Sequence, residues 1–146
     1  MRIVLLVTLI VLSHAASAKT LTASCKDPIG RSLGRLGEFG NYKPIDGADS
    51  MQGGVVTISW KTDQPKATIV ISTGAAGSVS TTEGVLAFRT EDQLTFFASF
   101  PGAAYMVSIF PEPKRLLMSA HQLFGGVAPG SAIAKSYLAT CELTLQ

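Results

Sequence analysis

Alternating hydrophobic residues over segment 93–122 constrain the fold of this chain more than any other feature. Three runs place an apolar residue at every second position: Leu94, Phe96, Ala98 and Phe100, then Tyr105, Val107 and Ile109, then Leu116, Met118 and Ala120. Pro101-Gly102 separates the first two runs, and the Pro-containing segment 111–114 separates the last two. Period-two alternation broken by Pro and Gly predicts an antiparallel β-meander with one buried face. We therefore expect this meander to form a wall of the core.

The first 18 residues have the composition of an export signal. Arg2 precedes an apolar run over 3–12 that only Thr8 interrupts, and the small residues of segment 16–18 follow it. The run is shorter than the about 20 apolar residues that a membrane-spanning helix needs. The pattern predicts a signal peptide over 1–18, an all-β domain over 19–146, and a periplasmic or secreted location.

Charge and hydropathy limit the partners of the mature chain. The sequence carries 12 basic and 10 acidic side chains, a net charge of +2, and no run of like charges. This balance lacks the basic footprint of a nucleic-acid-binding protein. No segment after the predicted leader is long and apolar enough to span a bilayer. We expect no nucleic-acid partner and no transmembrane segment after signal cleavage.

The two cysteines, Cys25 and Cys141, lie near the two ends of the predicted mature domain. Each shares an apolar strand face with its neighbours, and an even cysteine number in an exported protein indicates a disulfide. Two free buried thiols are the alternative. A Cys25–Cys141 disulfide would tie the first and last strands together.

The remaining strand signals predict an all-β architecture. Segments 55–61 and 67–73 alternate or are β-branched, segment 85–89 leads into the meander, and segment 132–145 closes the chain. Eight strands at this spacing are typical of a β-sandwich or a small antiparallel barrel of lipocalin-like size. We favour the eight-stranded barrel because the terminal strands are expected to be tied together. The G-x-W signature of lipocalins is absent.

A Gly-rich segment, 27–54, is predicted to be a long loop. Long loops without secondary structure are uncommon and are often functional. Arg31, Arg35 and Tyr42 within it could contact a protein partner, and a mobile surface loop with a short hairpin is the alternative.

One catalytic motif has a literal match. Segment 30–34 reads G-x-S-x-G around Ser32, and Asp46 or Asp92 and then His121 follow in the order of a serine hydrolase. The motif places its serine on a strand-to-helix elbow. Because no helix is predicted after Ser32, we do not assign a catalytic role to it.

Other catalytic and metal-binding patterns are incomplete. His121 is the one histidine after the predicted leader, the Glu91-Asp92 pair has the sequence of a turn, and segment 46–49 departs from EF-hand spacing. A metal site or a carboxylate pair needs more ligands or a different geometry. We predict no catalytic residues, no metal and no cofactor.

The inward-facing side chains of the predicted barrel are candidates for a ligand site. Eight-stranded barrels are near the size at which side chains fill the interior or leave room for one small ligand. The candidate ligand-binding residues are Trp60, Phe96, Phe100, Tyr105 and Met118. A completely filled core is the alternative.

The C-terminal half, with FFASFPGAAYMVSIFP, RLLMSAHQ and SYLATCEL in succession, resembles small exported bacterial all-β proteins of unknown function. The resemblance implies an envelope or secreted location and no particular activity. Together with the missing catalytic set, it favours an exported non-enzymatic binding protein for a small apolar ligand. The alternatives are a protein-interaction module, such as an inhibitor of an envelope or secreted hydrolase, and a structural envelope protein.

Overall fold

A computed structural model describes residues 18–37, 43–74, 77–123 and 131–146 of the chain. The part of the predicted signal peptide over 1–17 lies outside the described residues. Nine antiparallel strands make up the described fold: β1 (Thr20–Leu36), β2 (Lys43–Ser50), β3 (Val55–Lys61), β4 (Lys66–Ser72), β5 (Val79–Arg89), β6 (Leu94–Phe100), β7 (Ala103–Phe110), β8 (Arg115–Leu123) and β9 (Ala132–Leu145).

Eight of the strands close into a barrel. From β3 to β9, consecutive strands pair with each other. Strand β1 pairs with β3 on one side and with β9 on the other, which closes the barrel. The closing β1–β9 ladder extends from Leu21–Leu145 to Arg35–Ala132. The predicted eight-stranded antiparallel barrel is therefore confirmed, and the sandwich alternative is not adopted.

Strand β2 is the ninth strand, and it extends one end of the barrel. A bulge between Lys26 and Ile29 interrupts β1, and Asp27 within it has a φ of 49°. Before the bulge β1 pairs with β3, and after it β1 pairs with β2 from Ile29–Ser50 to Leu36–Lys43. The β1–β2 hairpin thus continues the barrel wall beyond the start of β3, and we call this end the mouth.

The Gly-rich segment 27–54 was predicted to be a long loop, and this prediction is wrong for most of it. The second half of β1 and all of β2 lie within the segment. Two glycines of this segment, Gly30 and Gly34, allow close packing of strands. A Cβ at Gly30 would lie 1.7 Å from the carbonyl oxygen of Ser136, and one at Gly34 would lie 2.3 Å from that of Ala132. Glycine at these two positions therefore lets β1 approach β9 closely.

The barrel interior opposite the mouth is filled. Buried side chains from seven of the eight barrel strands form one cluster, and the partly buried Leu86 of β5 packs against it. The cluster includes Ile58, Trp60, Leu94, Phe96, Ile109 and Leu116. Trp60 meets Phe96 edge to face at 5.9 Å, and its indole N–H donates to the carbonyl oxygen of Gln64. The guanidinium of Arg89 lies 5.0 Å from the centre of the Trp60 ring. These contacts close the end of the barrel opposite the mouth, which we call the lower end.

The predicted disulfide between Cys25 and Cys141 is confirmed. The two residues are directly opposite in the β1–β9 ladder, both are buried, and their Cα atoms are 4.0 Å apart. The bond joins the strands that close the barrel across a sequence separation of 116 residues. Within the described ranges, no helix is long and apolar enough to cross a membrane.

Candidate functional site: a cavity in the barrel mouth

The mouth contains a cavity of about 220 Å³. Its apolar walls come from Met51, Ile71, Met118 and Ala120, and its polar walls from Asp49, Ser50, Thr73, Tyr105, Gln122, Lys135 and Tyr137. A second, more open cavity of about 400 Å³ adjoins it at the rim and shares Ile71, Thr73, Tyr105 and Gln122 with it. Phe100 lines this second cavity. The mouth therefore offers apolar and polar surface side by side.

A polar cluster of four side chains forms one wall of the mouth. Asp49 Oδ2 accepts hydrogen bonds from the hydroxyls of Ser32 and Tyr137, the latter at 2.7 Å. The Lys135 ammonium lies 3.0 Å from the same oxygen. The four residues come from β1, β2 and β9, so the cluster also ties the hairpin extension to the barrel.

Register explains how these residues meet. Gly30 of β1 lies opposite Asp49 on one side and opposite Tyr137 on the other. Because Gly30 has no side chain, Tyr137 and Asp49 can contact each other across β1. Ser32 occupies the next inward position of β1, where it lies opposite Lys135. After the bulge, even-numbered residues of β1 face inward, which places the Ser32 hydroxyl beside the carboxylate.

The cluster keeps Asp49 ionised. Burial raises the pKa of Asp49. Hydrogen bonds from Ser32, Tyr137 and Lys135, together with the positive charge of Lys135, lower it by more than burial raises it, so the net pKa is about 2. Burial and the neighbouring carboxylate raise the pKa of Tyr137. At neutral pH the wall therefore presents an Asp49–Lys135 ion pair and a neutral Tyr137 hydroxyl.

A second polar pair lies at the opening. The Gln122 side-chain amide donates to the Tyr105 hydroxyl at 3.2 Å, and the Tyr105 ring packs edge to face on Phe100 at 5.0 Å. Tyr105 and Gln122 line both cavities. They form the boundary between the inner cavity and its open neighbour.

The five candidate ligand-binding residues separate into two groups. Trp60 and Phe96 lie in the filled end, with 3% and 0% of their surfaces exposed. Met118 and Tyr105 line the inner cavity, and Phe100 lines the outer one. The structure thus brings three of the five together at the mouth.

The candidate partner-binding residues lie elsewhere. Arg31 and Arg35 are exposed at alternate positions of β1 that share the outer face of the hairpin. The Arg31 guanidinium donates to Asp46 at 2.8 Å, and this contact raises the pKa of Arg31. Tyr42 lies outside the described residues. A role for these residues in partner binding stays a prediction.

The G-x-S-x-G match does not form a nucleophile elbow. Ser32 lies within strand β1, and its hydroxyl donates to Asp49. His121 is exposed on β8, Asp46 pairs with Arg31 on the outer face, and Asp92 is exposed in a turn. Ser32 and the histidine therefore lie on opposite sides of the barrel wall. Among the described residues, no three His, Cys, Asp or Glu side chains are grouped to hold a metal ion.

Sequence reasoning missed Asp49 and Lys135 as site residues. Segment 43–50 has Gly, Pro and Asp, which are depleted in strands, so its composition indicated a loop. In the structure Ile45, Gly47 and Asp49 share the inward face of β2. Because Ile45 is the one large apolar side chain of this segment, the sequence offers no alternation that would have placed Asp49 inside the mouth.

Neither the protein-family models nor the curated proteins compared with the chain match its sequence. The chemistry of the mouth is therefore the basis for a functional proposal.

Proposed function

We propose that the protein is an exported, non-enzymatic binding protein that holds a small amphipathic ligand in the mouth of its barrel. One observation carries this proposal. The same barrel that is filled around Trp60 and Phe96 leaves a cavity of about 220 Å³ between Met118, Tyr105 and the Asp49 cluster. A cavity at one end of a small barrel is a common position for a ligand site.

The size of the cavity suits a small organic molecule. An engineered apolar cavity of about 150 Å³ in another protein takes up benzene. The inner cavity here is larger, and the adjoining cavity beside Phe100 leaves room for part of a ligand to extend toward solvent. A short chain or a single ring with a polar head fits this combination.

The lining supports an amphipathic ligand rather than the purely apolar one expected from the aromatic residues. Ile71, Met118 and Ala120 supply apolar contacts, while Lys135 and Gln122 supply hydrogen-bond donors. Pockets that bind small molecules typically combine an apolar lining with a few placed polar groups. The apolar part of the ligand would lie against Met118 and its polar part against Lys135.

Export is proposed on two grounds. The composition of the first 18 residues is that of a signal peptide. The Cys25–Cys141 disulfide is consistent with an oxidising compartment, where such bonds persist. The resemblance to small exported bacterial proteins agrees with both.

The alternative, a protein-interaction module, would use the outer face of β1 around Arg31 and Arg35. Exposed apolar side chains on the same face, Ile29 and Leu33, favour such a surface. The two functions use opposite sides of the barrel wall, so substitutions inside the mouth would impair ligand binding and leave protein capture unchanged.

Native mass spectrometry of the mature protein from its own exported fraction tests the proposal. We expect an additional non-covalent mass on the wild type that leaves on denaturation. Ala120→Leu fills the inner cavity and should remove that mass. Ala104→Leu, the same change at an outward position of the neighbouring strand β7, should retain it. A wild type without bound mass, or equal loading of all three proteins, would argue against a ligand in the mouth.

A further inference from the structure

We infer that the mouth selects ligands with a carboxylate head and that Lys135 binds this head. The inference rests on the proposed binding function and specifies the chemical class of its ligand. It follows from the number and direction of hydrogen-bond donors around the inner cavity.

Lys135 is the charged donor of the cavity. Within the described residues, its ammonium contacts only Asp49 Oδ2, at 3.0 Å. An ammonium group has three N–H donors, so the contact with Asp49 leaves two of them. Lys135 also lines the inner cavity, and 23% of its side chain is exposed. These donors are therefore accessible from the cavity.

Two neutral donors lie on the same cavity. The Tyr105 hydroxyl accepts a hydrogen bond from Gln122, which leaves its own proton available. The Gln122 amide has a second N–H that this bond does not use. Together with Lys135, these groups offer several hydrogen-bond donors to the head of a ligand. A carboxylate accepts hydrogen bonds through both oxygens and matches such a set.

A cationic head fits the cavity poorly. Asp49 Oδ2 already accepts hydrogen bonds from Ser32 and Tyr137 and contacts Lys135. All three contacts use Oδ2, and an ammonium ligand bound at Oδ1 would lie close to the like charge of Lys135. An anionic head meets Lys135 directly, although the negative charge of Asp49 weakens that attraction. Removing the charge of Asp49 should therefore strengthen carboxylate binding.

Isothermal titration with octanoate, octanol and octylammonium tests the head-group preference at constant tail length. We expect octanoate to bind the wild type at least about tenfold more tightly than octanol, the usual gain from one charge-assisted hydrogen bond. Octylammonium should bind most weakly. Equal affinities for octanoate and octanol would overturn the carboxylate inference while leaving the binding function intact. A wild type that binds none of the three would overturn both.

Charge variants assign the role to Lys135. Lys135→Gln should reduce octanoate affinity to that of octanol, and Lys135→Arg should restore most of the preference. Lys66→Gln is the matched control, because Lys66 pairs with Glu83 on the outside of the barrel. Asp49→Asn should raise octanoate affinity relative to octanol affinity, because it removes the like charge beside the carboxylate head. Loss of octanoate binding in folded Asp49→Asn, or an unchanged preference in Lys135→Gln, would overturn the inference. If either variant fails to fold, the wild-type head-group ranking still decides it.

Discussion

The Tyr137 hydroxyl reaches Asp49 at 2.7 Å although their strands, β9 and β2, lie on opposite sides of β1. Gly30 lies between them in register and has no side chain to block the contact. One glycine therefore serves two purposes, since it also lets the backbones of β1 and β9 approach. The Tyr137–Asp49 hydrogen bond in the wall of the mouth therefore depends on a glycine at position 30.

Gly30→Ala should destabilise the protein by about 1–3 kcal/mol, the usual cost of overpacking. The new methyl group would lie 1.7 Å from the carbonyl oxygen of Ser136, so β1 and β9 would have to separate. Urea unfolding followed by circular dichroism measures the change. Gly47→Ala on β2 is the control, because a Cβ there has no neighbour within 4 Å, and it should change stability by less than about 0.5 kcal/mol. Equal effects of the two substitutions would contradict this view of Gly30.

Asp49 should contribute to stability in a pH-dependent way. Its pKa is about 2 in the folded protein, compared with about 3.9 in an unfolded chain. The folded state thus binds fewer protons in this range, and the stabilisation is complete above about pH 5 and is lost as the pH falls through 4 toward 2. The stability advantage of the wild type over Asp49→Asn should shrink across that interval. Urea unfolding at several pH values measures the two free energies of unfolding. A constant difference between wild type and Asp49→Asn from pH 6 to pH 2 would contradict the stabilisation of the Asp49 anion.

Replacing both Cys25 and Cys141 with alanine should lower the free energy of unfolding by about 2–4 kcal/mol. The disulfide closes a segment with a sequence separation of 116 residues, which restricts the unfolded chain. Guanidinium unfolding with and without dithiothreitol measures the effect. The reductant should weaken the wild type and leave the double variant unchanged. Coincident curves for the oxidised wild type and the variant would exclude a stabilising role for the bond.

The two ends of the barrel should respond differently to truncation. Phe96→Ala removes a fully buried ring from the filled end and should cost about 3–5 kcal/mol. Phe100 lies at the mouth and is only partly buried, so Phe100→Ala should cost less than half as much. Thermal and urea unfolding of the two variants give the comparison. A larger loss at Phe100 would mean that the mouth is as tightly packed as the lower end.

Local alternation predicted the barrel wall because a strand with one buried face repeats every two residues. The three runs over 93–122 correspond to β6, β7 and the inward face of β8. The cysteines predicted which strands close the barrel, since Cys25 and Cys141 could pair only if β1 and β9 were neighbours. The first inference uses residues a few positions apart in sequence. The second uses the one disulfide that two cysteines can form.

The candidate site was only partly predictable. Tyr105 and Met118 were visible as inward residues of regular strands, whereas Asp49 lies in a strand whose Pro and Gly content indicated a loop. Its role depends on Gly30, Lys135 and Tyr137, which are distant in sequence and meet only through the β1–β2 and β1–β9 registers. The bulge after Lys26 decides which residues of β1 face inward, and composition does not reveal it.

Methionine methyl NMR tests the central claim, that a ligand occupies the mouth, most directly. Met51 and Met118 line the inner cavity, and Met106 is exposed on the outer face of β7 as an internal control. With ¹³C-methyl-labelled methionine, titration with octanoate and octanol should shift the Met51 and Met118 signals in a saturable way and leave Met106 in place. Saturable shifts confined to Met106, or no shift at any methionine, would contradict the account.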